Sequence, residues 1–413
     1  MRGLGALICG AFLLLPQAPA AAAPAPRCET APGVPGPVAA SWADRRLNLP
    51  RARTPTAGRG TTVAVIDSGA DTSHPMLAGR VAKTLDLTGT GPRDCAGHGT
   101  GVAALIAGRD LGGGTAGVAP AARLLVVKQQ DTGLDESDGA RLPRAVRAAA
   151  DAGAQVVNVS IKAGPSPALA EAVRYAQSRD VLIVAAAGNA EKEGGDAVPA
   201  YPASYPGVLS VASLGPDGAR AESSSVQSRV DLAAPGKGIP TAWPGGGYNP
   251  QAEGTSYAAA YVSGAAALVR SRHPHLNRQQ VANRLVTTAD GNAGTGTGRG
   301  MINPVQAVTA VIPGETAPLP QASPRPAALT APEPSDARTR DLSTAVTGGA
   351  LAAAALAALA GVVLPVGRRR RWRPGRAVPP APALQDEPEI VTGAVQGTIG
   401  GHTSGTHTTG TRV

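Results

Sequence analysis

Residues 154–189, AQVVNVSIKAGPSPALAEAVRYAQSRDVLIVAAAGN, contain two short apolar runs separated by an alanine-rich segment. The runs AQVVNVSI at 154–161 and DVLIVAAAGN at 180–189 are rich in β-branched and small residues, which is typical of buried strands. Between them, ALAEAVRYAQSRD at 168–180 predicts a helix that ends at charged residues. The order of strand, helix and strand predicts two parallel strands joined by a crossover helix.

The same alternation extends over the chain on both sides of this unit. Further strands are predicted at TTVAVID (61–67), ARLLVVKQ (122–129) and GVLSVASL (207–214), and further helices at GTGVAALIAG (99–108) and RLPRAVRAAADAG (141–153). We therefore expect an α/β fold: a doubly wound, mainly parallel sheet with helices on both faces. In such a sheet, ligands bind at the carboxyl ends of the strands.

The composition of the 413-residue chain agrees with this fold class. Hydrophobic residues make up 43% and aromatic residues only 2%, so alanine, valine and leucine must fill the core. Such a core favours helices packed on a parallel sheet over an aromatic-rich β-sandwich. Much of the net charge of +9 comes from six arginines in RRRRWRPGR at 368–376. Because the positive charge is local, we expect no nucleic-acid partner.

The N-terminus has the pattern of a secretory signal. Residues 1–23 contain an early arginine, an apolar run and then small residues suited to cleavage, and a short N-terminal arm follows at 24–58. Cys9 lies within the signal, so Cys28 and Cys95 are the cysteines that an exported chain would retain. Two cysteines in an oxidising compartment suggest one disulfide, with two free thiols as the alternative.

The C-terminal part contains a second membrane signal. Residues 342–367 carry no charge and are long enough to cross a bilayer as a helix, although a soluble helix is the alternative. The basic and then polar tail at 368–413 fits the positive-inside rule, which predicts a cytoplasmic C-terminus. A linker rich in proline and alanine at 313–341 would separate this helix from one globular region at 59–312.

Four motifs lie at predicted strand ends or helix starts: VAVIDSG with Asp67, GHGTGVAALIAG with His98, VAAAGN with Asn189, and GTSYAAA with Ser256. Each residue alone has a structural explanation, as a turn carboxylate, a helix cap, a loop amide or an N-cap serine. Together they offer a nucleophile, a base, an orienting acid and an oxyanion donor. Their chain order differs from that of α/β-hydrolases and of chymotrypsin-type enzymes.

These motifs, with AGVAPAARLLVVK and VVNVSI, resemble those of subtilisin-like serine proteases. The resemblance implies the subtilisin-like version of the α/β fold and an Asp-His-Ser triad that hydrolyses peptide bonds through an acyl-enzyme. By motif match, Ser256 would be the nucleophile, His98 the general base and Asp67 the group that fixes the imidazole tautomer. Asn189 and the Ser256 backbone N–H would form the oxyanion hole.

The resemblance also implies where a protein or peptide substrate binds. In this family the peptide lies as an extra strand near residues 160–164, with the first specificity pocket between that segment and AAAGN. The substrate-binding residues implied here are Ser160, Ile161, Lys162, Ala185, Ala186, Ala187 and Gly188. No metal-ligand spacing stands out, so we expect no metal and no cofactor.

Within this family, the chain is most similar to the mycosins, the membrane-anchored proteases of type VII secretion systems. The similarity lies in the signal peptide, the short arm, the cysteine in DCAGHGT and the C-terminal transmembrane helix. It implies an arm that wraps the catalytic domain, a Cys28–Cys95 disulfide and a type VII secretion membrane complex as partner. One departure is Ala260, where the serine motif of the family usually has a proline.

The sequence thus favours a serine endopeptidase of limited, selective activity in the cell membrane. It would cross the membrane once, with an extracytoplasmic catalytic domain and a cytoplasmic tail. One rival hypothesis is a structural partner that stabilises a secretion complex and makes little use of catalysis. Another is a freely secreted degradative protease, which depends on whether residues 342–367 enter the membrane.

Overall fold

A computed structural model describes most of the globular region and one C-terminal helix. The described residues are 30, 32–36, 40–112, 115–131, 140–190, 198–291, 294–315 and 337–370. The predicted signal at 1–23, Cys28, most of the linker and the tail beyond residue 370 lie outside the described residues. These predictions therefore stay predictions.

A parallel sheet forms the centre of the globular region. Its seven strands have the order β2-β3-β1-β4-β5-β6-β7, and every neighbouring pair is parallel. The five predicted strands are all present. The strands are β1 (Thr62–Asp67), β2 (Val81–Asp86), β3 (Arg123–Lys128), β4 (Val156–Val159), β5 (Leu182–Ala186), β6 (Leu209–Leu214) and β7 (Leu232–Pro235).

Helices and one antiparallel hairpin surround this sheet. The hairpin pairs β8 (Ile239–Trp243) with β9 (Gly247–Ala252). The helices of the globular region are α1 (Trp42–Arg46), α2 (Leu49–Arg53), α3 (His98–Ala107), α4 (Arg141–Asp151), α5 (Pro167–Ser178), α6 (Thr255–Arg272), α7 (Arg278–Thr287) and α8 (Pro304–Thr309).

The two faces of the sheet carry different helices, as predicted. In β1, Val63 and Val65 belong to a core that includes residues of α3 and α6, whereas Ala64 and Ile66 belong to a core that includes residues of α4 and α5. This follows from the strand period of two residues, which sends alternate side chains to opposite faces. Because both faces are covered, the four consecutive residues from Val63 to Ile66 are all apolar.

The strands that the sequence did not predict have weaker patterns. The edge strand β2, VAKTLD, is only partly buried and contains a lysine and an aspartate. The last strand, β7, is short and ends in a proline, LAAP. Both lie at an edge of the sheet, where a strand needs less apolar surface and tolerates proline.

The C-terminal part forms a second unit, in which the described element is α9 (Ala337–Arg369). Residues Asp341–Arg369 of this helix are 29 residues long and contain an 18-residue window with a mean hydropathy of 2.2, enough to cross a membrane by length and composition. The predicted span at 342–367 lies within it. The described chain therefore holds one candidate span in addition to the α/β unit.

Candidate active site

Asp67 and His98 form a buried pair at the carboxyl end of the sheet. Asp67 is the last residue of β1, His98 is the first residue of α3, and the His98 Nδ1 lies 2.7 Å from the Asp67 Oδ1. The carboxylate also accepts a hydrogen bond of 2.8 Å from the Ser68 backbone N–H. With Nδ1–H donated to the carboxylate, Nε2 is the ring nitrogen that can accept a proton.

Gly99 permits this close approach. A Cβ at that position would lie 2.1 Å from the Gly69 carbonyl oxygen and 3.1 Å from the Asp67 Oδ1. A side chain at this position would therefore push the start of α3 away from β1. The glycine that follows His98 in the sequence motif sets how closely the imidazole approaches the carboxylate.

The electrostatic surroundings of His98 favour its protonated form. Burial acts to lower the pKa of His98, but the charge of Asp67, its hydrogen bond and the charge of Asp94 together raise the pKa above its ordinary value. The Nε2 atom is buried and has no hydrogen-bond partner among the described residues. This nitrogen is thus available to a neighbouring group or to a substrate.

The start of α6, which bears Ser256 as its second residue, lies next to this imidazole. The ring of Tyr257, the next residue, lies 5.3 Å from the His98 ring between centroids, so the start of α6 is adjacent to His98. The Ser256 Oγ donates a hydrogen bond of 3.3 Å to the Ser160 carbonyl oxygen. The helix N-cap is Gly254, which excludes the alternative that Ser256 is itself the cap.

The Asn189 side chain is hydrogen-bonded to the first turn of α6, directly before Ser256. The Asn189 Oδ1 accepts hydrogen bonds from the Thr255 backbone N–H at 3.0 Å and from the Thr255 Oγ1 at 3.1 Å, which leaves its Nδ2 group to donate. The Ser256 N–H belongs to the first turn of a helix, where backbone donors have no intrahelical partner. Gly254, at φ 146° and ψ 160°, adopts a conformation open essentially only to glycine. Side-chain amide and backbone N–H donors of this kind stabilise an oxyanion when they point at the same atom.

The implied substrate-binding residues differ in how much of each side chain is accessible. Lys162 and Asn189 line a cavity of about 220 Å³, together with Arg220 and Glu222. In contrast, Ile161 and Ala185 pack into the core under α4 and α5, Ala186 packs into the core under α6, and Ala187 is fully buried. These four residues could therefore contact a peptide mainly through their backbone. The Ser160 carbonyl accepts from Ser256, and Gly188, at φ 96°, precedes Asn189.

Two buried polar residues near the site were not singled out from the sequence. Asn158, in the middle of β4, donates a hydrogen bond of 2.8 Å to the Ser160 Oγ and accepts one of 2.9 Å from the Ser263 Oγ of α6. Asp94 accepts a hydrogen bond of 2.8 Å from the Ser68 Oγ. A polar residue inside the apolar run VVNVS was the available signal for Asn158.

The N-terminal arm contacts the segment that precedes His98. The Thr30 Oγ1 lies 3.3 Å from the Asp94 carbonyl oxygen and 3.2 Å from the Cys95 carbonyl oxygen. Val34 pairs with Tyr248 of β9 through hydrogen bonds of 2.8 and 2.9 Å. Cys95 is disulfide-bonded, but Cys28 is outside the described residues, so the predicted pairing stays a prediction. Within the described ranges no cluster of histidine, cysteine and acidic residues could hold a metal ion.

Comparison with known proteins assigns the family. Residues 58–307 match the subtilase family, Peptidase S8. The chain belongs to the subtilase family. It is 40% identical over 251 residues to Subtilisin NAT of Bacillus subtilis subsp. natto, a match that covers 60% of this chain and 65% of that protein. It is also 36% identical over 411 residues to Mycosin-3 of Mycobacterium tuberculosis, a match that covers 83% of this chain and 86% of the relative.

Solved structures agree with this assignment. The structure of MycP1 from Mycobacterium smegmatis is 32% identical, has a TM-score of 0.60, and is matched over 70% of this subtilase and 91% of that chain. The structure of the MycP3 protease from the type VII (ESX-3) secretion system is 37% identical and has a TM-score of 0.59. The match covers 68% of this chain and 91% of that chain. The predicted subtilisin-like fold and the similarity to mycosins, a group of serine endopeptidases, are confirmed.

Proposed function

We propose that this subtilase is a serine endopeptidase whose triad is Asp67, His98 and Ser256. The observation that supports the proposal best is the buried hydrogen bond of 2.7 Å between Asp67 and His98, beside the start of the helix that bears Ser256. Asn189 and the Ser256 backbone N–H are proposed as the oxyanion hole. No step in this chemistry requires a metal or a cofactor.

The reaction follows from the positions of these groups. The Ser256 Oγ forms a bond to the carbonyl carbon of the peptide while its proton moves to the His98 Nε2. Negative charge then develops on the carbonyl oxygen, where the Asn189 Nδ2 and the Ser256 N–H can donate hydrogen bonds. Collapse of this intermediate breaks the C–N bond, and His98 returns the proton to the leaving amine. Water hydrolyses the acyl-enzyme by the same steps in reverse.

One rearrangement must precede the first step. The Ser256 hydroxyl donates to the Ser160 carbonyl in this structure, so it must turn from that oxygen toward the His98 Nε2. Hydrogen bonds between catalytic groups are often long or misaligned without substrate and form when the substrate binds. We expect a bound peptide to favour this rotation, because a peptide strand near residues 160–164 would compete for the same backbone groups.

A fluorophosphonate probe tests the proposal on the full chain in detergent. We expect the wild type to be labelled and the Ser256→Ala variant to remain unlabelled. Ser271→Ala is the matched control, because Ser271 lies at the far end of α6 and its Oγ bonds the Arg59 carbonyl oxygen. A folded wild type that resists the probe at every pH would contradict the proposal and favour the structural hypothesis.

We propose in addition that α9 anchors the catalytic domain on the extracytoplasmic side of the cell membrane, with the tail in the cytoplasm. The support is the apolar span Asp341–Arg369, followed by the arginines of 368–376. We expect the protein to stay with the membrane after high-salt and carbonate washes. Protease added to intact cells should remove the catalytic domain and leave a tag on the C-terminus protected.

We also propose that the substrate is a protein processed in connection with type VII secretion. This rests on the similarity to Mycosin-3 and to the MycP3 protease of the ESX-3 system. Comparing a gene deletion with the Ser256→Ala variant tests it. If the point variant alone already leaves a secreted protein unprocessed, the proteolytic role is supported. If only the deletion affects secretion, the chain acts there as a structural partner.

A further inference from the structure

Asp94 is a buried carboxylate that is not a member of the proposed triad. It is 3% exposed and forms no ion pair with any described residue. Its Oδ1 accepts hydrogen bonds from the Ser68 Oγ (2.8 Å), the Ala96 N–H (3.1 Å) and the Gly97 N–H (2.8 Å). Its Oδ2 accepts from the Thr100 N–H (2.8 Å) and the Thr100 Oγ1 (2.6 Å). A carboxylate that receives this many donors is held in one orientation.

These bonds fix the turn in which His98 lies. Ala96 and Gly97 directly precede His98, and Thr100 follows it by two residues, so the carboxylate binds the backbone on both sides of the imidazole. Gly97 is the N-cap of α3 and has no side chain of its own to cap the helix. Asp94 supplies the acceptors that a capping side chain would normally supply. The position of His98 therefore depends on Asp94.

Ser68 links Asp94 to the other half of the pair. Its Oγ lies 2.8 Å from the Asp94 Oδ1 and 3.2 Å from the Asp67 Oδ1, and it accepts a hydrogen bond of 3.1 Å from the Gly99 N–H. A hydroxyl has one proton, and the shorter contact indicates that Asp94 receives it. The remaining lone pairs then face Gly99, which ties the first turn of α3 to the end of β1.

The charge of Asp94 also acts on the imidazole directly. Among the described residues, the titratable groups near His98 are Asp67 at the end of β1, Asp94 in the segment before α3, and Tyr257 in α6. Burial raises the pKa of the Tyr257 hydroxyl, which stays neutral. The buried Lys128 ammonium binds the carbonyl oxygens of Gly91 and Arg93, earlier in the same segment. Near the ring itself, two carboxylates thus stabilise an imidazolium.

We propose that Asp94 is a positioning residue for the reaction: it holds His98 against Asp67 through Ser68 and the turn before α3, and its charge stabilises the imidazolium that forms when Ser256 loses its proton. This inference rests on the proposed peptidase function. It assigns to Asp94 no contact with the substrate or with Ser256.

The test is the pH dependence of fluorophosphonate labelling for the full chain in detergent. For Asp94→Asn we expect the plateau rate to fall about tenfold to a hundredfold, because the imidazole is less well placed. We also expect the acid limb, where neutral His98 is lost, to move to lower pH by about half a unit to one unit, because a neighbouring negative charge is gone. A shift of the acid limb distinguishes the loss of the Asp94 charge from a purely structural effect, which would leave the acid limb in place.

Two further variants sharpen the result. Asp86→Asn is the matched control: Asp86 accepts from the Thr88 N–H, the Thr88 Oγ1 and the Gly91 N–H in a similar turn but does not contact Ser68. It should keep the wild-type plateau and acid limb. Ser68→Ala removes the link and keeps the Asp94 charge, so its plateau rate should fall while its acid limb moves less than that of Asp94→Asn.

The inference is overturned if Asp94→Asn loses thermal stability but keeps the wild-type acid limb, or if Ser68→Ala labels at the wild-type rate. If Asp94→Asn does not fold, the Ser68→Ala rate decides. If the wild type is not labelled at any pH, the proposed function has failed, and the titration of His98 by NMR on ¹⁵N-histidine protein decides this inference separately. His98 must then lose its proton at a lower pH in Asp94→Asn than in the wild type.

Discussion

The two sides of the candidate site are held in place by different means. On the base side, the His98 imidazole is hydrogen-bonded to Asp67 and is also influenced by the charge of Asp94, and the pKa of the imidazole is raised. On the nucleophile side, Ser256 and Asn189 are positioned by neutral groups: a backbone carbonyl, the Thr255 hydroxyl and N–H, and the first turn of α6. Substitutions on the base side should therefore change how the labelling rate depends on pH. Substitutions on the nucleophile side should change the rate mainly by altering side-chain packing.

The difference follows from the elements that supply each side. The base side joins the end of β1 to the start of α3, and its buried charges interact strongly because little water screens them. The nucleophile side joins β4, β5 and α6, where the first sixteen residues of α6, Thr255 to Arg270, are all buried. Neutral hydrogen bonds between such elements depend on close packing.

The largest expected effect comes from breaking either side completely. His98→Ala and Ser256→Ala should each lower the hydrolysis of an unfolded protein substrate by about a millionfold, the magnitude measured for the corresponding residues of a related subtilisin. The double variant should be no slower than either single variant, since the two residues act as one unit. Additive losses would show that the two sides work independently and would contradict the triad.

Removing the proposed oxyanion donor should have a smaller effect. Asn189→Ala should lower the rate of fluorophosphonate labelling about a hundredfold to a thousandfold, a magnitude that also comes from a related subtilisin. The acid limb of the pH profile should stay in place, because Asn189 carries no charge. An acid limb that moved as far as in Asp94→Asn would contradict the division into a charged and a neutral side.

The polar contacts between β4 and α6 sharpen the comparison further. Asn158→Ala removes the hydrogen bonds to the Ser160 Oγ and from the Ser263 Oγ. Leaving these buried hydroxyls unpaired should cost about 1–3 kcal/mol of unfolding free energy. The labelling rate should fall less than in Asn189→Ala, and the acid limb should not move.

Gln155→Ala is the control for Asn158→Ala. Gln155 precedes β4, and its Oε1 accepts a hydrogen bond of 3.0 Å from the Thr62 N–H at the amino end of the sheet. The Gln155→Ala variant also loses a side-chain amide near β4, but it leaves the carboxyl end of that strand unchanged. Equal losses of labelling rate in both variants would mean that β4 acts through general stability and does not position Ser160 and Ser256.

The sequence predicts the members of the site better than the contacts that hold them. Asp67, His98, Asn189 and Ser256 each follow or begin a regular element next to a glycine or a small residue, so the local pattern is enough to find them. The contacts of Asp94 with Ser68 and of Asn158 with Ser263 join residues 26 and 105 positions apart. No local pattern predicts such pairs, because the strand order of the sheet brings them together.

In the fold, too, local sequence patterns predict some elements and miss others. The five inner strands are almost completely buried and mostly apolar, and they were predicted, whereas β2 and β7 at the two edges were not. A local pattern also does not predict the strand order: β3 lies between β1 and β2, so β1 and β2 are not neighbours although they are consecutive in the chain. The hairpin β8–β9 adds antiparallel pairing that an alternation of strands and helices does not indicate.

The smallest expected effect concerns His74, a second buried histidine. It tests whether the neighbouring carboxylates are the reason why the pKa of His98 is raised. The His74 Nε2 donates to the Gly247 carbonyl oxygen at 2.9 Å, and its Nδ1 accepts from the Met76 N–H at 3.1 Å, so the ring is neutral. Burial lowers the pKa of His74 below its ordinary value, the opposite direction to His98. On acidification the unfolded chain binds this proton first, so His74 destabilises the fold as the pH falls below about 6.5.

The melting temperature of the globular unit, measured against pH, should therefore fall on acidification by a few degrees less in His74→Gln than in the wild type. In His98→Gln the melting temperature should instead fall more steeply on acidification than in the wild type. A raised pKa stabilises the fold below the unfolded value, and that stabilisation is lost as the pH rises through the folded value, so removing His98 should reduce stability on the acid side. If both variants moved the curve the same way, burial alone would govern the two histidines, and the carboxylates around His98 would have no separate effect.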